Sequence, residues 1–297
     1  MNDFNWNDLK YFIAVARTRN VAAAARNLNV DHNTVRRRIS ALETDLTVSL
    51  FDRRSENHLL TDAGERLLAL AESIEHNVCK AEEDVAGGDA SVAGVVRIGA
   101  PDGIGTMFLA PRLAKLCDRY PQLNVELLTT YQPFDLSRRE ADMAIHIGRP
   151  TRGRVTVTKL VDTTMRLYAS KEYCAKMKPL RNIDDLVCHN LISGIYGLDF
   201  GPTLNAMMDD SAVMTARVVC TSSIAQLQAT ASGAGICLFS KFLAETAPEL
   251  TPILADKVAV EREIWLSYHS DLKDLARIKA VREFLISEFT QSKEKFN

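Results

Sequence analysis

The sequence predicts an α/β protein that carries an all-α winged helix-turn-helix segment at its N-terminus. Three observations lead there. The first 46 residues hold three short helical patterns punctuated by Asn and Asp caps. A single long helical pattern with a heptad seam starts at residue 61. From residue 95 onward, β-rich runs alternate with helical ones, the pattern of a largely parallel sheet.

Taken in order, residues 7–18 place Leu9, Phe12, Ile13 and Ala16 on one apolar stripe, with Asn5 or Asn7 available as cap. Residues 21–28 form a short alanine-rich helix behind Asn20, and Asn29-Val30 is a tight turn. Asp31 then caps a third helix to about Asp45. Val35, Ile39 and Leu42 lie on its inner face, and His32, Asn33, Arg36 and Arg37 largely on the other, with Arg38 flanking. Two helices joined by a short turn, the second polar and basic outside, make the helix-turn-helix pattern. Residues 46–60 read as a small hairpin, or wing, anchored by Leu50-Phe51 and tipped by 53–57.

Thr61 caps a long helix to about Ala86. Its seam of Leu67, Ala71, Ile74, Val78, Ala81 and Val85 repeats as a heptad and reads as a dimerisation face; packing against its own domain is the alternative. Residues 87–91 are a linker. Strands are expected at 95–100, 124–129, 142–147, 165–169, 190–193, 216–220 and 263–268. Helices are expected at 109–120, 224–232, 240–247 and 272–289. The domains are therefore 1–60, 61–86 and 92–297.

At 297 residues, with 46% hydrophobic and 25% charged side chains, the chain has the make-up of a globular protein with two cores. The N-terminus MNDFNWNDLK lacks a basic-then-apolar leader, and no apolar run is long enough to span a bilayer, so a cytoplasmic protein with no membrane partner is expected. The six cysteines form no CxxC pair and are not bunched with histidines, so no metal and no cofactor is expected. They read as buried small hydrophobes rather than redox sensors. The net charge of −2 gives no hint of nucleic acid, yet residues 1–60 hold nine Lys/Arg against seven acids, clustered at 36–38 and 53–54.

The segment LKYFIAVARTRNVAAAARNLNVDHNTVRRRISALETDL resembles the N-terminal helices of the LysR-type transcription regulators. LFDRR and LLTDAG resemble that family's wing and linker-helix start. VVRIGAPDGIGTMFLAPRLAKLCDRYPQLNVEL and ASGAGICLFSKFLAE resemble two stretches of its effector domain. The resemblance covers essentially the whole chain. It implies a C-terminal two-lobed α/β effector domain similar to periplasmic binding proteins, with lobe I at about 92–162 and 268–297 and lobe II at about 163–267. It also implies double-stranded promoter DNA, a small-molecule effector, self-association to dimers or tetramers, and RNA polymerase as a further contact. This chain departs from the family's usual Ser-Gln-Pro at Asp31-His32-Asn33, from serine at Arg36, from glycine at Thr47 and from a neutral hydroxyl at Asp102. The Thr47 departure suggests a different entry to the wing.

On that reading His32, Asn33, Thr34 and Arg36 face base edges, since Asn pairs with adenine and Arg with guanine. Arg37 and Arg38 meet phosphates, and Arg53 or Arg54 a flanking backbone or minor groove. The loop Pro101-Asp102-Gly103 follows a strand and opens a helix, where ligands of open α/β sheets bind. With Thr129, Thr130 and Arg149 it would line one side of an effector pocket, and Tyr196, Thr221, Ser222 and Ser223 the other. A carboxylate at Asp102 opposes a simple anionic ligand unless it serves as a cap. Two other classes compete with this reading. An enzyme would need a motif such as GxSxG, HExxH, GxxxxGK[ST] or GxGxxG, none of which occurs. A constitutive architectural DNA binder would ignore every metabolite.

Overall fold

The computed structural model describes residues 5–52, 58–86, 92–131, 134, 136, 141–151, 155–194 and 216–297. Within the long helix, the side chains of 69, 76, 79, 80 and 82–86 lie outside the description. The chain divides into two compact units, 1–91 and 92–297.

The first unit is built on α1 (Asp8–Thr18), α2 (Val21–Asn27), α3 (His32–Leu46) and α4 (Asp62–Ala86). The caps act as their chemistry suggests. Asn20 Oδ1 accepts from the Ala23 amide at 3.0 Å, Asp31 Oδ1 from Asn33 at 2.7 Å and Thr61 Oγ1 from Gly64 at 3.1 Å. At the start of α1 it is Asn5, not Asn7, whose side chain is used, accepting the Asn7 amide. Phe12, Val15, Ala24, Val35 and Leu42 are fully buried in one core, which Leu50 and Phe51 close. Among the described residues the wing is tied down by an antiparallel bridge between Phe51 and Leu60, and by Glu43, whose Oε1 accepts the Leu50 amide at 2.6 Å. Its tip, with Arg53 and Arg54, falls outside the described residues, as does the linker 87–91.

The second unit holds β1 (Gly94–Pro101), α5 (Asp102–Ile104), a π turn Gly105–Leu109, a 3-10 turn Ala110–Arg112 and α6 (Leu113–Arg119). Then come β2 (Leu123–Thr130), β3 (Met143–Ile147), β4 (Val155–Ser170), α7 (Lys171–Lys176), a 3-10 segment Asp184–Cys188, β5 (Leu191–Gly194) and β6 (Ala216–Cys220). The remainder is α8 (Ser223–Ala231), β7 (Cys237–Ser240), α9 (Lys241–Ala244), β8 (Leu250–Ile253), β9 (Val260–His269), α10 (Ala276–Gln291) and α11 (Lys293–Phe296). The main sheet runs β2-β1-β3-β9-β4-β7, with β8 added to β4, and β5-β6 form a separate parallel pair.

The sheet is mixed rather than largely parallel. β1 pairs in parallel with β2 and β3, but β9 and β4 are antiparallel to their neighbours. These two long strands pair with each other antiparallel from Val155 to Met165. β9 pairs with β3 from Ile264 to Tyr268, so residues 264–267, which the sequence assigned to lobe II, are hydrogen-bonded to a lobe I strand. β4 begins ten residues earlier than the sequence suggested, because its first half alternates with Thr and Lys and contains a bulge between Lys159 and Val161. Phe108, Phe242, Phe289 and Phe296 form an aromatic cluster, with Phe108 and Phe289 centroids 4.6 Å apart, that anchors the C-terminal helices.

Among the cysteines whose side chains are described, Cys117, Cys174 and Cys188 are exposed, Cys220 is half-buried and Cys237 is buried, so most of these are not the core fillers expected. No helix among the described residues is long and apolar enough to cross a membrane.

Candidate functional site

The outer face of α3 is set by its own periodicity. Val35, Ile39 and Leu42 face the core, and His32, Asn33, Arg36 and Arg37 are left exposed with Thr34 half-buried. The Asp31 cap fixes the first turn, so these side chains project from the N-terminal half of the helix. Arg38 does not join them. Its guanidinium turns back to Asp8 on α1, 3.2 Å away, and lies 5.8 Å from the centroid of the Tyr11 ring. Asp8 is only 2% exposed, so this pair fastens α1 to α3, and the phosphate role expected for Arg38 has no support in its placement.

Of the α4 seam, Leu67, Ala71 and Ile74 pack on the core of their own unit. Arg17 adds a paired contact to Glu75, the shorter bond being 2.6 Å. Val78 and Ala81 remain exposed and Leu70 joins them, while the Val85 side chain lies outside the description. The first part of the seam therefore packs on its own unit while Val78 and Ala81 are left open, a division that spacing alone does not reveal.

In the second unit the carboxyl ends of β1 and β2 lie side by side, with Pro101 opposite Thr130 and Ala100 opposite Thr129. Thr129 is exposed and Thr130 half-buried. Asp102, first residue after β1, reaches the start of α8. Its Oδ2 accepts from Ser222 Oγ and its Oδ1 from Ser223 Oγ, both at 2.6 Å. The Gly103 amide donates to Oδ1 at 2.9 Å and the Ile224 amide approaches Oδ2 at 3.4 Å. Ser222 also caps α8, accepting the Ala225 amide at 3.2 Å. Pro101, Asp102, Gly103, Ser222 and Ser223 thus come together, with Thr221 exposed beside them. Arg149 is exposed two residues beyond β3 and lies 5.2 Å from the Trp265 ring centroid, a cation–π contact. Tyr196 falls outside the described residues.

Tyr131, which sequence reasoning missed, closes against Gly194 at the end of β5. A Cβ on that glycine would lie 1.8 Å from the tyrosine oxygen. Its only sequence signal was its place directly after β2.

Comparison with known proteins places the architecture. Residues 6–65 match the family model described as bacterial regulatory helix-turn-helix protein, lysR family, and residues 89–290 match that of the LysR substrate binding domain. The chain is 27% identical over 245 residues to the HTH-type transcriptional regulator PtxR of Pseudomonas aeruginosa, covering 82% of this chain and 78% of that protein. It is 27% identical over 290 residues to the glycine cleavage system transcriptional activator homolog of Haemophilus influenzae, covering 96% and 95%. The solved structure of CrgA, a LysR-type transcriptional regulator from Neisseria meningitidis, superposes with a TM-score of 0.61 at 25% identity, covering 96% of this chain and 99% of that one.

Proposed function

Since the chain belongs to the LysR family of bacterial transcriptional regulators, we propose that it reads promoter DNA with the N-terminal half of α3 and answers to a small molecule held at the carboxyl ends of β1 and β2. The observation that carries the first part is the exposed set His32, Asn33, Arg36 and Arg37, rigidly presented by a capped helix whose other face is core. Asn33 and Arg36 read base edges, with His32 and Thr34 beside them, and Arg37 contacts phosphate. Arg53 or Arg54, outside the described residues, reaches a flanking backbone or minor groove.

The regulator works as a homo-oligomer, with the open part of α4 as one contact, and RNA polymerase is its further partner at the promoter. A ligand that binds one arrangement of the two lobes better than the other shifts the population, and with it the spacing of the DNA-binding units. The same reading makes the chain a regulator and not an enzyme, acting in the cytoplasm.

Footprinting of the purified protein on the DNA just upstream of its own coding region, across a salt series, tests this. Two protected half-sites spaced by whole helical turns are expected. Diffuse, steeply salt-dependent protection with no spacing would leave only non-specific attraction and overturn the reading.

A further inference from the structure

We infer that Asp102 is a tethered anion seated at the N-terminal end of α8, so that the effector cleft takes a ligand with no carboxylate at that end. The inference rests on the proposed effector site and narrows its ligand class.

The start of α8 has the components of an anion seat. Ser222 and Ser223 supply hydroxyls, the Ile224 amide points outward, and the helix dipole adds partial positive charge. All of it is already engaged. Each serine has one hydroxyl proton, and both go to Asp102, at 2.6 Å. The Ile224 amide is directed at Oδ2. Ser222 Oγ in addition accepts the Ala225 amide, so one of its lone pairs is taken as well.

A free carboxylate arriving here would meet donors already committed and a like charge within contact distance. The backbone reinforces the seating. A Cβ on Gly103 would lie 2.7 Å from Ser223 Oγ and 3.3 Å from Leu243 Cδ2, so the loop after β1 presses directly on α8 and only glycine lets it do so. The contact joins residues 120 positions apart and ties the end of β1 to the start of α8. The ligand class that suits this end of the cleft is neutral or cationic, since the Asp102 carboxylate keeps its charge there while both of its oxygens already accept from Ser222, Ser223, Gly103 and Ile224.

The test is chemical rescue in the full chain. Asp102→Ala removes the carboxylate and leaves room for formate. Thermal unfolding is followed in sodium formate and in sodium chloride at equal ionic strength. The wild type is expected to unfold at the same temperature in both salts. The variant is expected to lose about 4 °C or more in chloride and to recover at least half of that in formate. Adding Ser222→Ala and Ser223→Ala to Asp102→Ala abolishes the recovery.

Should Asp102→Ala not fold, Asp102→Ser, which keeps a hydroxyl at the turn, gives the same comparison. Formate that stabilises wild type and variant equally, or restores nothing to a folded variant, overturns the inference. A DNA footprint on each protein separates the two readings. Rescue without any footprint supports the seat and sinks the regulator reading, and a footprint without rescue sinks the seat alone.

Discussion

Arg38 points its guanidinium into its own domain, 3.2 Å from Asp8, while Arg36 and Arg37 on the same helix stay exposed. Three consecutive arginines therefore divide between two environments. Asp8 is almost fully buried, so removing Arg38 strands a carboxylate in the interface of α1 and α3. Arg38→Ala is expected to destabilise the first unit by roughly 2–3 kcal/mol, the one-third exposure of the arginine keeping the loss below that of a fully buried pair. Arg36→Ala and Arg37→Ala should each stay within about 0.5 kcal/mol of wild type. Calorimetry of the three variants decides it, and equal stability for all three would refute the division.

DNA binding should split the other way. Arg37→Ala is expected to weaken binding to every sequence and to lower the salt slope by about one unit. Asn33→Ala and Arg36→Ala should each cost about 1–3 kcal/mol, confined to one base position. A loss for Arg37→Ala limited to one base position would exchange its assignment with theirs. Titrations against operator variants at several salt concentrations measure both quantities.

Much of the first unit was legible because its signals are local. Caps lie within three residues of what they cap, and the 3.6-residue period marks the inner face of each helix. The same locality hid Arg38, since nothing near 36–38 in sequence separates the arginine that meets Asp8 from the two that do not. In the second unit the strands with apolar runs were visible, but the first half of β4 (Val155–Thr164) alternates with Thr and Lys and was passed over. β7 and β8, four residues each, were passed over as well. The destination of Asp102 was out of reach for a different reason: its partners are 120 positions away, and only the closed chain brings them together.

Thr47 ends α3 in the left-handed region, φ 55°, although it is β-branched. The chain thus enters the wing with the backbone a glycine would adopt, and the different entry suggested by the threonine does not occur. An L-residue pays about 1–2 kcal/mol for that conformation, and glycine's greater freedom in the unfolded chain returns part of the gain. Thr47→Gly is expected to stabilise the first unit by about 0.5–1 kcal/mol. A loss of stability in the same calorimetric comparison would show that the Thr47 side chain contributes more than its backbone costs.

His146 sits buried on β3 with its Nε2 2.7 Å from Ser267 Oγ on β9. Burial pushes its pKa below the ordinary 6.5. Above the unfolded value both states hold a neutral ring and the full stability is present. As pH falls through that value the unfolded chain takes up a proton that the buried ring refuses, so stability declines until the folded pKa is passed. Melting temperature should therefore drop between about pH 7.5 and 5.5, and His146→Gln, which keeps a partner for Ser267, should flatten that drop. His189, shifted down by desolvation as well, leaves a residual slope. An unchanged slope in His146→Gln would remove His146 from the account.

Along α4, Ala71 is 1% exposed and belongs to the core, whereas Leu70 is 64% and Val78 53% exposed. Leu70, Ile74 and Val78 recur at four-residue intervals and Ala81 follows three later, so one stripe of the helix runs from the domain's edge into an apolar strip that its own unit leaves uncovered. Self-association through this strip gives a clean mutational contrast. Val78→Glu introduces a charge where a partner helix would exclude water, and should weaken the oligomer at least tenfold, about 1.4 kcal/mol, with no loss of stability in the dissociated chain. Ala71→Glu places the same charge in the domain core and should unfold the first unit whatever the oligomeric state. Sedimentation across a concentration series, with calorimetry on the same samples, reads both. If Val78→Glu sediments as wild type, the exposed strip is not a self-association contact.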